Sequence, residues 1–383
     1  MEALKVLQLA DHSEIISGGA VQMLLLAGGL RERGHDVTCV FNGAPSPLEH
    51  TLRQVEEAGA RLVRFPMHKK SRSAELRDFV ARERFDVIHT HRASWKVLLR
   101  SCGDLELPVV VVKRGHSRPV RARELQRLCH PAGRAIVVVA SHIKDVLVCD
   151  GIASERIEVV YGGFLPERFD RRIDGSQVRR QLLGRDAETT KLVGIVAKLS
   201  RYKSHDVFLQ GAGRVLLDFP AVRFAIVGPD PHGVRERLEA HALGVGRRLG
   251  VPLTERLLFT GPRQDIPQLL SALDVSVSAS ATAWEGLSGI MRESLAMARP
   301  VVCTDVGGNR ELVRHGETGL LVPPGDARAL SDAILELLRN TDRARDLAEN
   351  GYRLVQEKFS NDARARRMEA LYRRLMEEAP AAS

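Results

Sequence analysis

The sequence predicts an α/β protein built from two Rossmann-like domains, each a doubly wound parallel sheet, facing each other across a cleft. Short apolar strand-like runs alternate with segments of helical period along nearly the whole chain, and that alternation implies parallel sheets with helices on both faces. The alternation also restarts: seven strand-like runs precede a charged, irregular stretch at about 166–191, and six follow it. Finally, 383 residues correspond to two or three domains at about 150 residues each, and 44% hydrophobic content is ample for two cores. No short repeat is present.

In the first half, 4–9, 36–41, 61–65, 86–89, 109–112, 135–139 and 157–161 read as buried strands, because their apolar residues run almost without interruption. Segments 20–33, 74–84 and 121–129 carry helical spacing between them. The second half opens with a strand at 192–197, a helix at 205–217, a strand at 222–227 and a helix near 234–243. Strands at 257–260 and 275–279 follow, then a helix ending near 298, strands at 300–304 and 319–322, a helix at 327–338 and a charged tail. The last segment, 361–378, sets Met368, Leu371, Tyr372 and Leu375 at helical spacing, one apolar stripe on a charged helix. Such a stripe docks on protein, with a membrane surface as the second option. The expected domains are 1–170, 188–358 and a C-terminal helix, 360–383, packing back on the first.

Composition narrows the function classes. Five scattered cysteines without Cys-x-x-Cys spacing argue against a disulfide framework or a zinc site and fit a reducing compartment. No apolar run approaches the length of a membrane-spanning helix. The chain begins with a strand-like segment, so no signal peptide is read and a cytoplasmic location is expected. The net charge of +9 is uneven: residues 61–127 hold 17 Lys/Arg against 7 Asp/Glu. That excess points to an anionic surface or acceptor. Few aromatics accompany it and no nucleic-acid docking motif is present, so no nucleic-acid partner is expected.

The most informative motif is the run from Trp284 to Ala296, where Glu285 and Glu293 flank a Gly-bearing turn entering an apolar helical stretch. A helix N-terminus offers unpaired amides and partial positive charge, so Leu287, Ser288, Gly289 and Ile290 can hold phosphate oxygens. In a continuous helix the two acids stand about 12 Å and roughly 80° apart. That separation suits a ligand with hydroxyl-rich ends and phosphate between them; a solvated glutamate pair at a helix start is the plain alternative. Gly18-Gly19 opens the first helix after the first strand, where glycine lets backbone approach a phosphate or simply makes a turn. Its spacing is not Gly-x-Gly-x-x-Gly, and no acidic ribose ligand follows the second strand, which disfavours a dehydrogenase-type dinucleotide fold. Lys198 and Lys203 follow the first strand of the second half, placed to neutralise a diphosphate leaving group. His116 follows the fifth strand amid dense positive charge, a candidate to touch a sugar hydroxyl; His89 and His91 are its rivals. No His/Asp/Glu set has metal-ligand spacing.

Together these residues resemble the family 4 retaining glycosyltransferases, of group 1 type, which have the GT-B fold. The resemblance runs over nearly the whole chain. Its strongest segment extends from Glu285 through Glu293 and Pro300, on through Gly307-Gly308-Asn309-Arg310-Glu311, to Gly316 and Gly319. Gly18-Gly19, the Arg33–Val37 run and Phe259-Thr260-Gly261 support it. The resemblance implies that Glu285 contacts the donor sugar, that Glu293 holds the ribose hydroxyls, and that His116 touches the transferred sugar. It further implies a diphosphate cradled by Gly18, Gly19 and the Leu287–Ile290 amides and neutralised by Lys198 and Lys203, with the base near Gly261 and Arg263. The implied donor is a UDP-, GDP- or ADP-sugar and the implied acceptor a glycan or glycolipid. Transfer with retention, no cofactor and no metal are expected. Three departures stand out: Lys198 for the usual Arg, Ser204 where Gly is common, and Tyr161-Gly162-Gly163 for the usual Asn-Gly.

Overall fold

The computed structural model describes residues 2–11, 18–43, 49–65, 73–91, 94–103, 105–115, 117–281 and 286–378. The chain divides into two units, Met1–Gly163 with Phe359–Ser383, and Phe164–Lys358.

The first unit alternates β1 (Lys5–Ala10), α1 (Gly18–Glu32), β2 (Asp36–Asn42), α2 (Glu49–Glu57), β3 (Arg61–Phe65) and α3 (Ser73–Glu83). It continues with β4 (Val87–His91), α4 (Ser94–Cys102), β5 (Val109–Arg114), α5 (Ala122–Leu128), β6 (Gly133–Val138), α6 (Ser141–Cys149) and β7 (Ile157–Val159). Its sheet has the order β3-β2-β1-β4-β5-β6-β7, all parallel. Because strand side chains alternate, each strand feeds two cores. Val6, Val109, Val111 and Val137 pack with Met23, Leu26 and Leu30 of α1. Leu7, Leu9, Val110, Val112 and Ile136 pack with Phe79 of α3, Leu98 of α4 and Leu147 of α6.

The C-terminal helix, Asn361–Glu377, completes the first of these cores. Met368, Leu371, Tyr372 and Leu375 are all buried there, at about 1.5–3 kcal/mol for each large apolar side chain removed from water. The stripe is therefore covered by the chain's own first unit, which removes a membrane surface as its partner. The helix approaches α1 closely: a Cβ on Gly29 would lie 2.9 Å from that of Ala365. Polar ties set its register, with Asn361 Nδ2 donating to Leu25 O at 2.7 Å and Arg364 Nη1 to Gln22 O at 2.6 Å.

The second unit holds α7 (Ser176–Leu183), β8 (Lys191–Val196), α8 (His205–Asp218), β9 (Val222–Val227), α9 (Arg235–Leu249), β10 (Leu257–Gly261) and α10 (Ile266–Ala272). Then come β11 (Val275–Ser278), α11 (Gly289–Ala296), β12 (Val301–Thr304), α12 (Asn309–Leu312), β13 (Leu320–Val322), α13 (Ala327–Arg339) and α14 (Thr341–Lys358). Its parallel sheet runs β10-β9-β8-β11-β12-β13. In both sheets the strand order reverses beside the first strand, between β1 and β4 and between β8 and β11.

All thirteen strand-like runs correspond to strands, but several helices were not legible. The stretch at 166–191, expected to be irregular, contains α7. Its charges mask the helix because they face backbone: Arg179 donates to Ala187 O, Ala272 O and Thr190 O, and pairs with Asp274 at 2.9 Å. Gly175 is needed there, since a Cβ would fall 2.5 Å from Ala272 N. The first unit ends at Gly163, so 164–170 lie in the second unit. The charged tail is α14, which buries Ala344, Leu347, Ala348, Leu354 and Val355 along one side.

Candidate functional site

Doubly wound sheets bind ligands beyond the carboxyl ends of their strands, where the strand order reverses. In the second unit that place lies between β8 and β11. After β8 the chain passes Lys198, which is exposed, and makes a 3-10 turn, Arg201–Lys203. Ser204 then takes a left-handed conformation, φ +46° and ψ +50°, before α8 begins. This is the position where the resemblance has glycine, and an L-residue there carries about 1–2 kcal/mol of strain. The turn is tied to the loop after β11: Ala281 N donates to Tyr202 O at 3.1 Å, and Lys203 Nζ reaches Ser280 Oγ at 3.5 Å. Thr304 Oγ1 of β12 donates to Ser280 O at 2.7 Å, adding a third strand to the join.

The neighbouring strand ends are fastened in the same way. Ala197 N donates to Val227 O at 2.8 Å, Leu199 N to Pro229 O at 2.9 Å, and Gly228 N to Gly261 O at 3.0 Å. Gly228 sits at φ +148°, and a Cβ there would be 2.1 Å from Ala197 O, so only glycine fits. Gly261 closes β10 at φ +70° with open space on its Cβ side.

The loop after β11 leads into α11. Leu287 is half-buried and Ser288, the residue before the helix, is buried and makes no side-chain cap. The first helical bond runs from Arg292 N to Ser288 O at 3.3 Å, leaving the amides of Gly289, Ile290 and Met291 for an outside acceptor. Gly308 N holds the turn by donating to Gly286 O at 2.9 Å. Ser294 Oγ donates to Ser276 Oγ at 2.8 Å, anchoring α11 on β11. One turn into the helix, Glu293 Oε1 lies 4.0 Å from where a Cβ on Gly289 would be. Among the described residues its carboxylate has no hydrogen bond. Burial pushes its pKa above the ordinary value, opposed by the charges of Arg292 and Arg168. A partly buried carboxylate with unused acceptor capacity among the described residues lies beside the open amides of α11, and Lys203 reaches the loop after β11, a set that can take hydroxyls and phosphate together.

The remaining expected residues fall as follows. Arg263 has its guanidinium committed: Nε donates to Asp265 Oδ1 at 2.8 Å and Nη2 to Gln181 Oε1 at 3.0 Å. It ties the loop between β10 and α10 to α7 and holds the Asp265 carboxyl below its ordinary pKa. Gly18 and Gly19 are the exposed first residues of α1 in the first unit. Glu285 and His116 lie outside the described residues. The rival histidines are core ties: His89 Nδ1 is 2.6 Å from Tyr372 Oη, His91 Nε2 is 2.6 Å from Gln8 Oε1, and the rings stack at 4.6 Å. Burial holds the His89 pKa well below its ordinary value, so it is neutral. Sequence reasoning missed Tyr202, Ser280 and Arg168; a small polar residue just past a strand end was the available signal for Ser280.

Two doubly wound units, with the last helix returning to the first unit, are the GT-B class of α/β protein. Two solved structures share the fold: a glycosyltransferase from Rickettsia africae ESF-5, with TM-score 0.83, 17% identity and coverage of 99% of this chain and all of that one; and Anabaena Alr3699/HepE in complex with UDP, with TM-score 0.81, 21% identity and coverage of 97% of this chain and all of that one. The family model described as Glycosyltransferase Family 4 matches residues 16–168, and the model described as Glycosyl transferases group 1 matches 190–340. The chain belongs to this family and is a glycosyltransferase of the family 4 type. Among similar curated proteins, the N-acetyl-alpha-D-glucosaminyl L-malate synthase of Bacillus anthracis is 22% identical over 93% of this chain and 94% of its own length. The lipopolysaccharide core biosynthesis mannosyltransferase LpsB of Rhizobium meliloti (strain 1021) is 30% identical over 57% of this chain and 61% of its own.

Proposed function

We propose that this chain is a retaining, metal-independent enzyme that moves a sugar from a nucleotide-diphosphate sugar to a lipid-linked or lipopolysaccharide/polysaccharide-type acceptor. The observation that carries the reading is the pairing, in the second unit, of the open α11 amides and the Glu293 carboxylate, unbonded among the described residues, with Lys203 on the joined β8 and β11 loops. Glu293 accepts the ribose hydroxyls and the base rests beside Gly261. The amides from Leu287 to Ile290 receive the diphosphate. Lys198 and Lys203 neutralise it as it leaves, which supplies the charge a metal would otherwise carry. Glu285 meets the transferred sugar, and the acceptor attacks the face the diphosphate leaves, retaining the anomeric configuration. The UDP bound by Anabaena Alr3699/HepE supports a nucleotide-sugar donor.

An anionic acceptor is supported by the exposed Lys96, Arg100, Arg118, Arg121 and Arg123 of the first unit, and by the similarity to LpsB. No helix among the described residues is long and apolar enough to cross a membrane. A peripheral position on the inner face of the membrane matches the basic surface. A small soluble acceptor is the second reading, favoured by the near full-length similarity to the malate-directed synthase. Calorimetric titration with UDP-, GDP- and ADP-sugars, followed by turnover against lipid-linked and soluble acceptors, tests the proposal. Donor binding with turnover that Glu285→Gln abolishes is expected. Donor binding without turnover on any acceptor would instead leave a nucleotide-sugar-binding protein. Liposome co-sedimentation at low salt separates the acceptor readings: no affinity for anionic vesicles favours the soluble one.

A further inference from the structure

A second basic cavity lies at the opposite edge of the same sheet. It has a volume of about 430 Å³ and is lined by residues that precede strands or start them: Lys191 opens β8, Asp274 precedes β11, and Arg299 and Pro300 precede β12. The loop that carries Lys203 and the loop that leads into α11 leave from the other edge, so the two places are separate.

The charges of this cavity do not balance. Arg179, Lys191, Arg299 and Arg345 line it against Asp274 and Glu349. Asp274 answers two of the cations, Arg179 at 2.9 Å and Lys191 at 3.0 Å, and Arg345 pairs at the rim with the exposed Asp342 at 3.2 Å. Glu349 is already bonded from outside the cavity, by Arg171 at 2.7 Å and Arg353 at 3.3 Å. Arg299 is the decisive group. Its Nε donates to Met297 O at 3.1 Å and its Nη1 to Ser271 O at 3.3 Å, and among the described residues no acid lies within ion-pair distance. A part-buried guanidinium whose nearest acid, Asp274, is already bonded to two other cations costs stability, and burial lowers its pKa although the Asp274 charge opposes the shift. The turn that aims it is strained as well: Ala298 holds φ +50°, a conformation that side-chain-bearing residues seldom adopt and that clusters at functional sites. Leu273, Pro300, Leu337 and Ala348 give the cavity apolar walls.

We propose that this cavity is a binding site for a small phosphate monoester, with the dianion on the Arg299 and Arg345 guanidiniums and the organic part against the apolar walls. A dianion matches the excess of two cations over acids in the lining. A guanidinium fork suits phosphate oxygens, and apolar walls around a few aimed polar groups are the usual make-up of a small-molecule site. The site goes beyond the donor reading and does not depend on it.

Titration calorimetry of the full chain with phenyl phosphate tests the proposal, with three variants that tell the two places apart. Lys203→Ala disables phosphate binding at the α11 end and is expected to leave phenyl phosphate affinity within about twofold. Arg299→Gln is expected to weaken it about tenfold or more, because it removes a charge-assisted fork. Arg345→Glu reverses a charge on a side chain that is 76% exposed, so folding is not at stake, and is also expected to weaken binding about tenfold. Should Arg299→Gln fail to fold, Arg345→Glu decides alone. No heat from the wild-type chain overturns the proposal. So does binding that Lys203→Ala removes while Arg345→Glu leaves it intact.

Discussion

Replacing Glu293 by Gln separates the cost of this carboxylate from its use. In the folded chain the group is partly buried, has no hydrogen bond among the described residues, and has a raised pKa despite the charges of Arg292 and Arg168. A raised pKa means that the surroundings, arginines included, favour the neutral form. The carboxyl's stability contribution is therefore full below its unfolded value near 4.5 and is lost as pH rises through the folded value. At pH 7 a neutral isostere removes that penalty. With the group partly solvated, we expect a gain of about 1 kcal/mol, the low end for an unsatisfied polar group. For a unit of this size that corresponds to an increase of about 2–4 °C in Tm. Nucleotide binding moves the other way. Losing charge-assisted hydrogen bonds to ribose costs about 1.5–3 kcal/mol, roughly a 10- to 150-fold weaker Kd. Thermal melts of both proteins from pH 4 to 8, with and without UDP, measure both effects. The variant should melt higher when free, lose that advantage toward pH 4, and be protected less by UDP. A lower Tm for the free variant at pH 7, or equal protection of both proteins, would refute the reasoning.

Other consequences follow from the same geometry. Gly228→Ala sets a Cβ 2.1 Å from Ala197 O at φ +148°, and should destabilise the second unit by about 2–4 kcal/mol in denaturant unfolding, with weaker nucleotide binding as the β8 loop shifts. His205 is buried at the start of α8, and burial lowers its pKa to about 4. Its stability contribution is full above 6.5 and is lost as pH falls through 4, a total of about 3 kcal/mol; His205→Gln should flatten that acid limb in urea titrations at pH 7 and pH 5. Tyr372→Phe leaves the His89 imidazole nitrogen unpaired in the core of the first unit and should cost about 1–3 kcal/mol, read as a lower urea midpoint with unchanged m.

The sequence by itself determined the two doubly wound sheets and the second-unit site segments. Parallel strands are buried on both faces, so runs such as Val109–Arg114 and Val222–Val227 announce themselves whatever the context. The Trp284–Ala296 run marked a helix start because glycine, serine and an apolar period meet there. Charged helices were hidden, since charges that obscure the apolar period are taken up elsewhere in the chain, Arg179 of α7 by the carbonyls of Ala187, Thr190 and Ala272 and Glu349 of α14 by Arg171. Sequence likewise does not reveal that Asp265 and Gln181 accept from Nε and Nη2 of Arg263. Which histidines are core ties, why Gly228 admits no side chain, and that Glu293 has no hydrogen bond among the described residues were likewise decided only by the tertiary structure. Each depends on atoms brought together from separate strands, and desolvation and hydrogen-bond satisfaction have no meaning until that packing exists.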